Sequence, residues 1–272
     1  MMTVQNGRIG LWHEHNMVEF MQGAKVVAFD LDNTLARSKK PMHEDMSRLF
    51  ASLTRLIDVA VITGGRFELV ESQVLDVLGE CADMSRIHIM PTSGTRYYRW
   101  NEGAFRCVYK VDLTQAQRSA AMSSFERHAR ELGMWEEKVW GERIEDRGSQ
   151  ITFSALGQNA PVEAKERWDP DNSKKNRLAS AVAADLPDLV VRSGGSTSVD
   201  VSVKGVDKAY AVRKLCAELA IDVSQVVFIG DRMDPDGNDY AAAIIGTRPV
   251  RVAGPDDTLK VCARIIEALE RP

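Results

Sequence analysis

The stretch Val26-Val27-Ala28-Phe29-Asp30-Leu31-Asp32-Asn33-Thr34-Leu35 decides how the rest of the chain is read. Its first four residues are apolar and partly β-branched, the pattern of a short strand buried on both faces of a sheet. The run stops at Asp30, and a second carboxylate, Asp32, follows two residues later. Asn33 is a turn residue that tolerates positive φ, so the chain bends there and returns Thr34 towards the strand end. An aspartate after a buried strand is by itself a common turn former. Its meaning depends on what neighbouring strand ends supply.

From His43 to Ile57, residues Met46, Leu49, Phe50, Leu53, Leu56 and Ile57 share one helical stripe. Val59-Ala60-Val61-Ile62 then makes a second buried strand ending at Thr63-Gly64-Gly65. A helix from about Phe67 to Leu78, a strand near Ile87–Met90 and a hairpin around Asn101-Glu102-Gly103 follow. The strand–helix–strand order implies a parallel sheet. Units of the same kind resume with a helix from Asp207 and the strand Val226–Ile229, which ends at Gly230-Asp231. A helix after Gly237, a strand over Pro249–Val252 and a last helix stacking Leu259, Cys262, Ile265, Ile266 and Leu269 complete them.

Residues 111–204 follow a different rule. Met122, Phe125, Ala129 and Leu132 line one helix, but Ile151, Phe153 and Ala155 alternate with Gln150, Thr152 and Ser154, and Val199, Val201 and Val203 with Ser198, Asp200 and Ser202. Alternation of period two belongs to antiparallel strands with one face on a core and a free polar face. The expected fold class is therefore α/β, with a discontinuous parallel-sheet core (1–110 and 205–272) and an inserted α+β cap at 111–204.

The 272 residues carry 44% hydrophobic and 27% charged side chains and a formal net charge of -4, with scattered basic residues, which argues against nucleic acid as a partner. No run approaches the roughly 18 apolar residues of a membrane span, and Glu14 and Glu19 interrupt any leader core, so a cytoplasmic protein, monomeric or homodimeric, is expected. The four cysteines, Cys81, Cys107, Cys216 and Cys262, read as reduced residues packed in cores.

Ligands of open parallel sheets bind beyond the carboxyl ends of the strands. Here those ends carry Asp30, Thr63 and Asp231. Converging carboxylates are tolerated around a divalent cation, and oxygen-only ligands favour Mg²⁺. With a cation present, Asp30 can act as a nucleophile on a phosphoryl group, with Lys208 as a second positive charge and Asp32 as acid and base. A lysine in the first turn opposes the helix dipole, a hint that Lys208 answers to an anion. A nucleotide-binding doubly wound protein would need a glycine-rich loop after the first strand, and none is present between Asp30 and Leu35.

Asp30-x-Asp32-x-Thr34, Thr63 after its strand, Lys208, and Gly230-Asp231 with Asn238-Asp239 together resemble the four motifs of the haloacid dehalogenase superfamily, in its branch with an α/β cap after the third strand. The resemblance implies an aspartyl-phosphate on Asp30. It also implies Mg²⁺ held by Asp30, the backbone carbonyl of Asp32 and Asp231, with Asp239 nearby, and a phosphoryl group bound by Thr63 and Lys208.

Within the superfamily, Arg147-Gly148-Ser149-Gln150-Ile151-Thr152, Gly194-Gly195-Ser196-Thr197-Ser198-Val199-Asp200, Gly205-Val206-Asp207-Lys208 and Pro235-Asp236-Gly237-Asn238-Asp239 are similar to blocks of the eukaryotic-type phosphomannomutases. That resemblance places Thr34, Gly64, Arg147, Lys165, Ser198 and Asp200 against a phosphosugar. Cap arginines of those mutases hold a distal phosphate, but Gln158 and Lys165 stand at two such positions, and the basic residue after the nucleophile loop is here Lys39. Losing a bidentate guanidinium weakens a second phosphate site. The expected activity is thus a Mg²⁺-dependent phosphatase acting on a phosphorylated sugar, the alternatives being a phosphomannomutase and, remotely, a non-catalytic binding protein.

Overall fold

The structure is a computed structural model that describes residues 9–194 and 197–270. Gly195 and Ser196, part of one block quoted above, lie outside the described residues. The chain divides into two compact units: one runs through Lys110 and resumes at Val206, the other is Val111–Gly205.

The elements are, in order, α1 (Met17–Met21), β1 (Val26–Phe29), α2 (Glu44–Leu56), β2 (Asp58–Ile62), α3 (Phe67–Gln73), β3 (Ile87–Met90), β4 (Arg96–Asn101) and β5 (Ala104–Lys110). The second unit holds α4 (Gln115–Glu131), β6 (Ile144–Asp146), β7 (Gln150–Ser154), α5 (Val162–Trp168), α6 (Ser173–Asp185), β8 (Leu189–Ser193) and β9 (Ser198–Val203). The first unit then continues with α7 (Lys208–Leu219), β10 (Val226–Gly230), α8 (Tyr240–Ile244), β11 (Arg248–Arg251) and α9 (Pro255–Glu270).

In the first unit the strand order is β11-β10-β1-β2-β3-β4-β5, parallel from β11 to β3 and antiparallel beyond. β1 is central. Val27 and Phe29 pack with Phe50 of α2 and Ile265 of α9, whereas Val26 and Ala28 pack with Val212 and Leu215 of α7. Burial on both faces explains why the strand is apolar without alternation. The registers Phe29↔Ile229 and Phe29↔Val61 set the carboxyl ends of β10, β1 and β2 side by side.

The β4–β5 hairpin turns through Glu102 and Gly103, both at positive φ (51° and 82°), as a two-residue turn matched to strand twist requires. One expected helix is shorter than its periodicity suggests. α3 stops at Gln73 because Val74 leaves helical geometry (φ -119°), and a 3₁₀ turn, Leu75–Val77, completes the segment.

The second unit is an antiparallel sheet, β6-β7-β9-β8. Ile151, Phe153, Val199 and Val201 form its core with Phe125 and Ala129 of α4 and Leu178 and Val182 of α6. Its polar face is only partly free: Gln150, Ser198, Asp200 and Ser202 are half-buried, but Thr152 and Ser154 are buried like their apolar neighbours. Thr152 is covered because its Oγ1 donates to Asp200 Oδ1 at 2.7 Å and because it pairs with Glu145, itself buried.

All four cysteines are free thiols, but only Cys216 and Cys262 lie in a core; Cys81 and Cys107 are exposed, Cys107 on the edge strand β5, where Arg106 and Val108 beside it are exposed as well. Among the described residues no helix is long and apolar enough to cross a membrane.

Candidate active site

The adjacent ends of β1 and β10 deliver Asp30 and Asp231 to one place, and Thr34 joins them. Its Oγ1 lies 3.3 Å from Asp231 Oδ1 and 3.5 Å from Asp30 Oδ2. Asn33 adopts φ 59°, the left-handed turn that sends Thr34 back to the strand end. α7 begins at the site. Asp207 caps it, accepting from the Tyr210 N–H at 2.8 Å, and the next residue, Lys208, turns inward to become almost wholly buried. Its ammonium donates to Asp30 Oδ1 and, at 2.5 Å, to Asp239 Oδ1.

Asp239, expected from the sequence among the metal residues, stands within the cluster and is also a partner of Lys208. Its second oxygen accepts the Arg232 N–H at 3.0 Å, and its side chain lies where a Cβ on Gly230 would stand. The Gly230-Asp231 motif thus has a steric reason: glycine at the end of β10 makes room for Asp239.

Three buried or half-buried carboxylates face one ammonium. Burial pushes Asp30 up to about 7, with Lys208 pulling it back and Asp239 adding to the rise. Asp231 is raised as well, by burial and then by Asp239. For Lys208, burial works downward but Asp30 and Asp239 outweigh it, and its pKa is raised. The cluster is short of positive charge. Carboxylate oxygens of Asp30, Asp231 and Asp239 all lie within 4.8 Å of one another, so these three side chains would be the ones to hold a Mg²⁺ ion. The donor set, hard oxygens and no sulfur or imidazole, fits that ion.

Asp32 is placed differently. Its carboxylate is not grouped with the other three: Oδ1 accepts the Lys39 N–H at 2.9 Å, with Gln73 Nε2 at 3.5 Å. Only its backbone carbonyl remains as the ligand expected above, while its side chain stays available for proton transfer. Lys39 meets Asp32 through its backbone N–H. Thr63 is buried at the end of β2, its Oγ1 accepting from the Gly65 N–H at 3.1 Å, and Gly64 has open space where a side chain would stand.

In the second unit, Arg147 Nε and Nη2 both donate to Glu145 Oε2, at 2.9 and 2.7 Å. Lys165 Nζ donates to the carbonyl of Gln158 at 3.0 Å, and Gln158 Nε2 is buried with no partner among the described residues. Ser198 and Asp200 share one face of β9, and a Cβ on Gly194 would lie 2.6 Å from Ser198 Oγ and 2.9 Å from Asp200 Oδ2. Sequence reading missed Glu145 and Gln73. Glu145 sits two residues before Arg147 in a strand, and Gln73 shares a buried stripe with Val70 and Val74, so both carried a periodicity signal.

A parallel α/β core with an inserted antiparallel unit and an Asp–Asp–Lys–Asp cluster at the strand ends defines an enzyme of the haloacid dehalogenase superfamily. More closely, residues 46–268 match the family model described as eukaryotic phosphomannomutase, and the chain belongs to that family. The chain is 27% identical over 256 residues to a phosphomannomutase of Encephalitozoon cuniculi (strain GB-M1), covering 90% of this chain and 94% of that protein. Two solved structures share the fold. A Plasmodium falciparum IMP-nucleotidase superposes with a TM-score of 0.68 at 15% identity over 94% of this chain and 71% of the other. An Aspergillus fumigatus trehalose-6-phosphate phosphatase does so with 0.58 at 12% identity over 92% and 96%.

Proposed function

We propose that this protein moves the phosphoryl group of a phosphosugar through an aspartyl-phosphate at Asp30, and that it works as a phosphomannomutase-type isomerase. The buried cluster of Asp30, Lys208, Asp231 and Asp239 carries the first part of the reading. An Asp30 carboxylate oxygen attacks phosphorus, the bond from phosphorus to the sugar oxygen breaks, and Asp32 gives its proton to that oxygen. In the return step Asp32 takes the proton of a second sugar hydroxyl as that oxygen attacks and the bond to Asp30 breaks. Mg²⁺, held by Asp30, Asp231, Asp239 and the Asp32 carbonyl, would supply the charge that lets one anion approach another. Thr63 and Lys208 bind the phosphoryl group beside Thr34 and Gly64; Arg147, Lys165, Ser198 and Asp200 receive the rest of the phosphosugar.

Family membership over most of the chain supports isomerisation, reversing the order reached from Gln158 and Lys165 alone. Hydrolysis is the second reading, and one observation favours it. At an expected distal-phosphate position the chain offers the amide of Gln158, and Lys165 spends one donor on the Gln158 carbonyl. Mannose 1-phosphate with a hexose bisphosphate activator and Mg²⁺, followed by ³¹P NMR, separates the two. Mannose 6-phosphate as the main product supports isomerisation, and inorganic phosphate as the main product transfers the conclusion to hydrolysis. Unchanged turnover in Asp30→Asn protein would overturn both.

A further inference from the structure

We propose that Gln73 is the positioning residue for Asp32, holding the proton-transferring carboxyl in register with the leaving oxygen. Gln73 ends α3 and is buried. Its Nε2 donates to the Lys40 carbonyl at 2.9 Å and faces Asp32 Oδ1 at 3.5 Å, while its backbone carbonyl accepts the Met42 N–H at 2.8 Å. One residue therefore ties down residues 40–42 through both side chain and main chain.

The residue just before that tie is Lys39. At φ 57° it aims its N–H at the same Asp32 oxygen, 2.9 Å away. Asp32 Oδ1 is thus met by two N–H groups, one belonging to Gln73 and one placed by the segment Gln73 anchors. An oxygen that accepts from N–H donors is a poor place for a proton, so the transferable proton is directed to Oδ2.

The amide orientation is fixed, since both neighbours of Nε2 are acceptors and a flip would set Oε1 against the Lys40 carbonyl. Oε1 itself is buried with no partner among the described residues. A residue selected for packing beside Val70 and Val74 would be apolar; an amide with one orphaned end points to a task for the other end.

This assignment rests on the Asp30 and Asp32 roles above, and the test separates the two. A proton donor matters when the leaving group is a sugar alkoxide and matters little for p-nitrophenolate. Leaving-group release is followed in the first turnover, with Mg²⁺, for a hexose 1-phosphate and for p-nitrophenyl phosphate, so dephosphorylation does not enter. Gln73→Leu is expected to slow release from the hexose phosphate about tenfold or more and from p-nitrophenyl phosphate less than about threefold, the pattern of Asp32→Asn in milder form. Equal losses on both substrates, or none, overturn the assignment. Should Gln73→Leu fail to fold, the unbranched Gln73→Met is read the same way. Wild-type protein without Mg²⁺-dependent turnover fails the underlying reading instead.

Discussion

Lys208 and Asp239 are joined by a 2.5 Å charge-assisted hydrogen bond with both side chains buried. Because the same ammonium also holds Asp30, the protein's own cation is shared between the end of β1 and the loop after β10. Replacing it leaves carboxylates facing one another without compensation. Lys208→Met should lose about 3–5 kcal/mol of stability in metal-free buffer. Added Mg²⁺ should raise the Tm of that variant by several degrees more than that of the wild type, because the ion then carries the whole neutralising role. Thermal melts in EDTA and in Mg²⁺ check this, and equal shifts would count against a cation-centred cluster.

Gly230 and Gly64 make opposite predictions for the same substitution. A Cβ on Gly230 collides with the Asp239 carboxylate, whereas one on Gly64 meets nothing within 4 Å. Gly230→Ala should cost about 1–3 kcal/mol and weaken Mg²⁺ binding in calorimetric titration by more than about tenfold. Gly64→Ala should fold as well as the wild type.

His88 should set an acid limit on stability. It is wholly buried on β3, with Nδ1 2.8 Å from Tyr97 Oη and Nε2 3.8 Å from Asp58 Oδ2, the latter a charge contact rather than a hydrogen bond. Burial lowers its pKa, Arg99 lowers it further, and Asp58 offsets them only in part. The folded state then binds fewer protons than the unfolded chain below about pH 6.5, so stability falls as pH drops through that value and on towards the folded pKa. The slope from this group approaches about 1.4 kcal/mol per pH unit. Urea midpoints measured from pH 7.5 to 5 should flatten in His88→Gln, and an unchanged slope would remove His88 as the cause.

Gln158→Arg tests the cap. A guanidinium there restores a bidentate donor at an expected distal-phosphate position. The concentration of hexose bisphosphate needed for half-activation should fall about tenfold, and the ratio of isomer to inorganic phosphate should rise. No change in either quantity would show that this position does not meet the distal phosphate.

Much of this was legible from one dimension. β1 announced itself because a strand covered on both faces must be apolar throughout, and Asp30 marked where cover ends. The shift to period-two alternation after Val111 marked the inserted unit, because antiparallel strands with one polar face require it. α3 was overextended since its apolar spacing continues past Val74, where a backbone dihedral, invisible in residue types, breaks the helix. Cys107 is exposed although it sits among apolar neighbours, because β5 is the edge strand of its sheet and both of its faces are open there, which spacing in sequence does not show.

The sequence by itself determined that two aspartates follow a central strand, that a second acid follows another, and that a lysine opens a late helix. It did so because buried strands and helix starts leave local signatures. Only the tertiary structure decided that Asp239 enters the cluster as a partner of Lys208, that Gly230 is small to admit it, and that Gln73 reaches Asp32. Those relationships join residues 31 to 41 positions apart, or depend on a Cβ that is missing, and they exist only once neighbouring elements are packed.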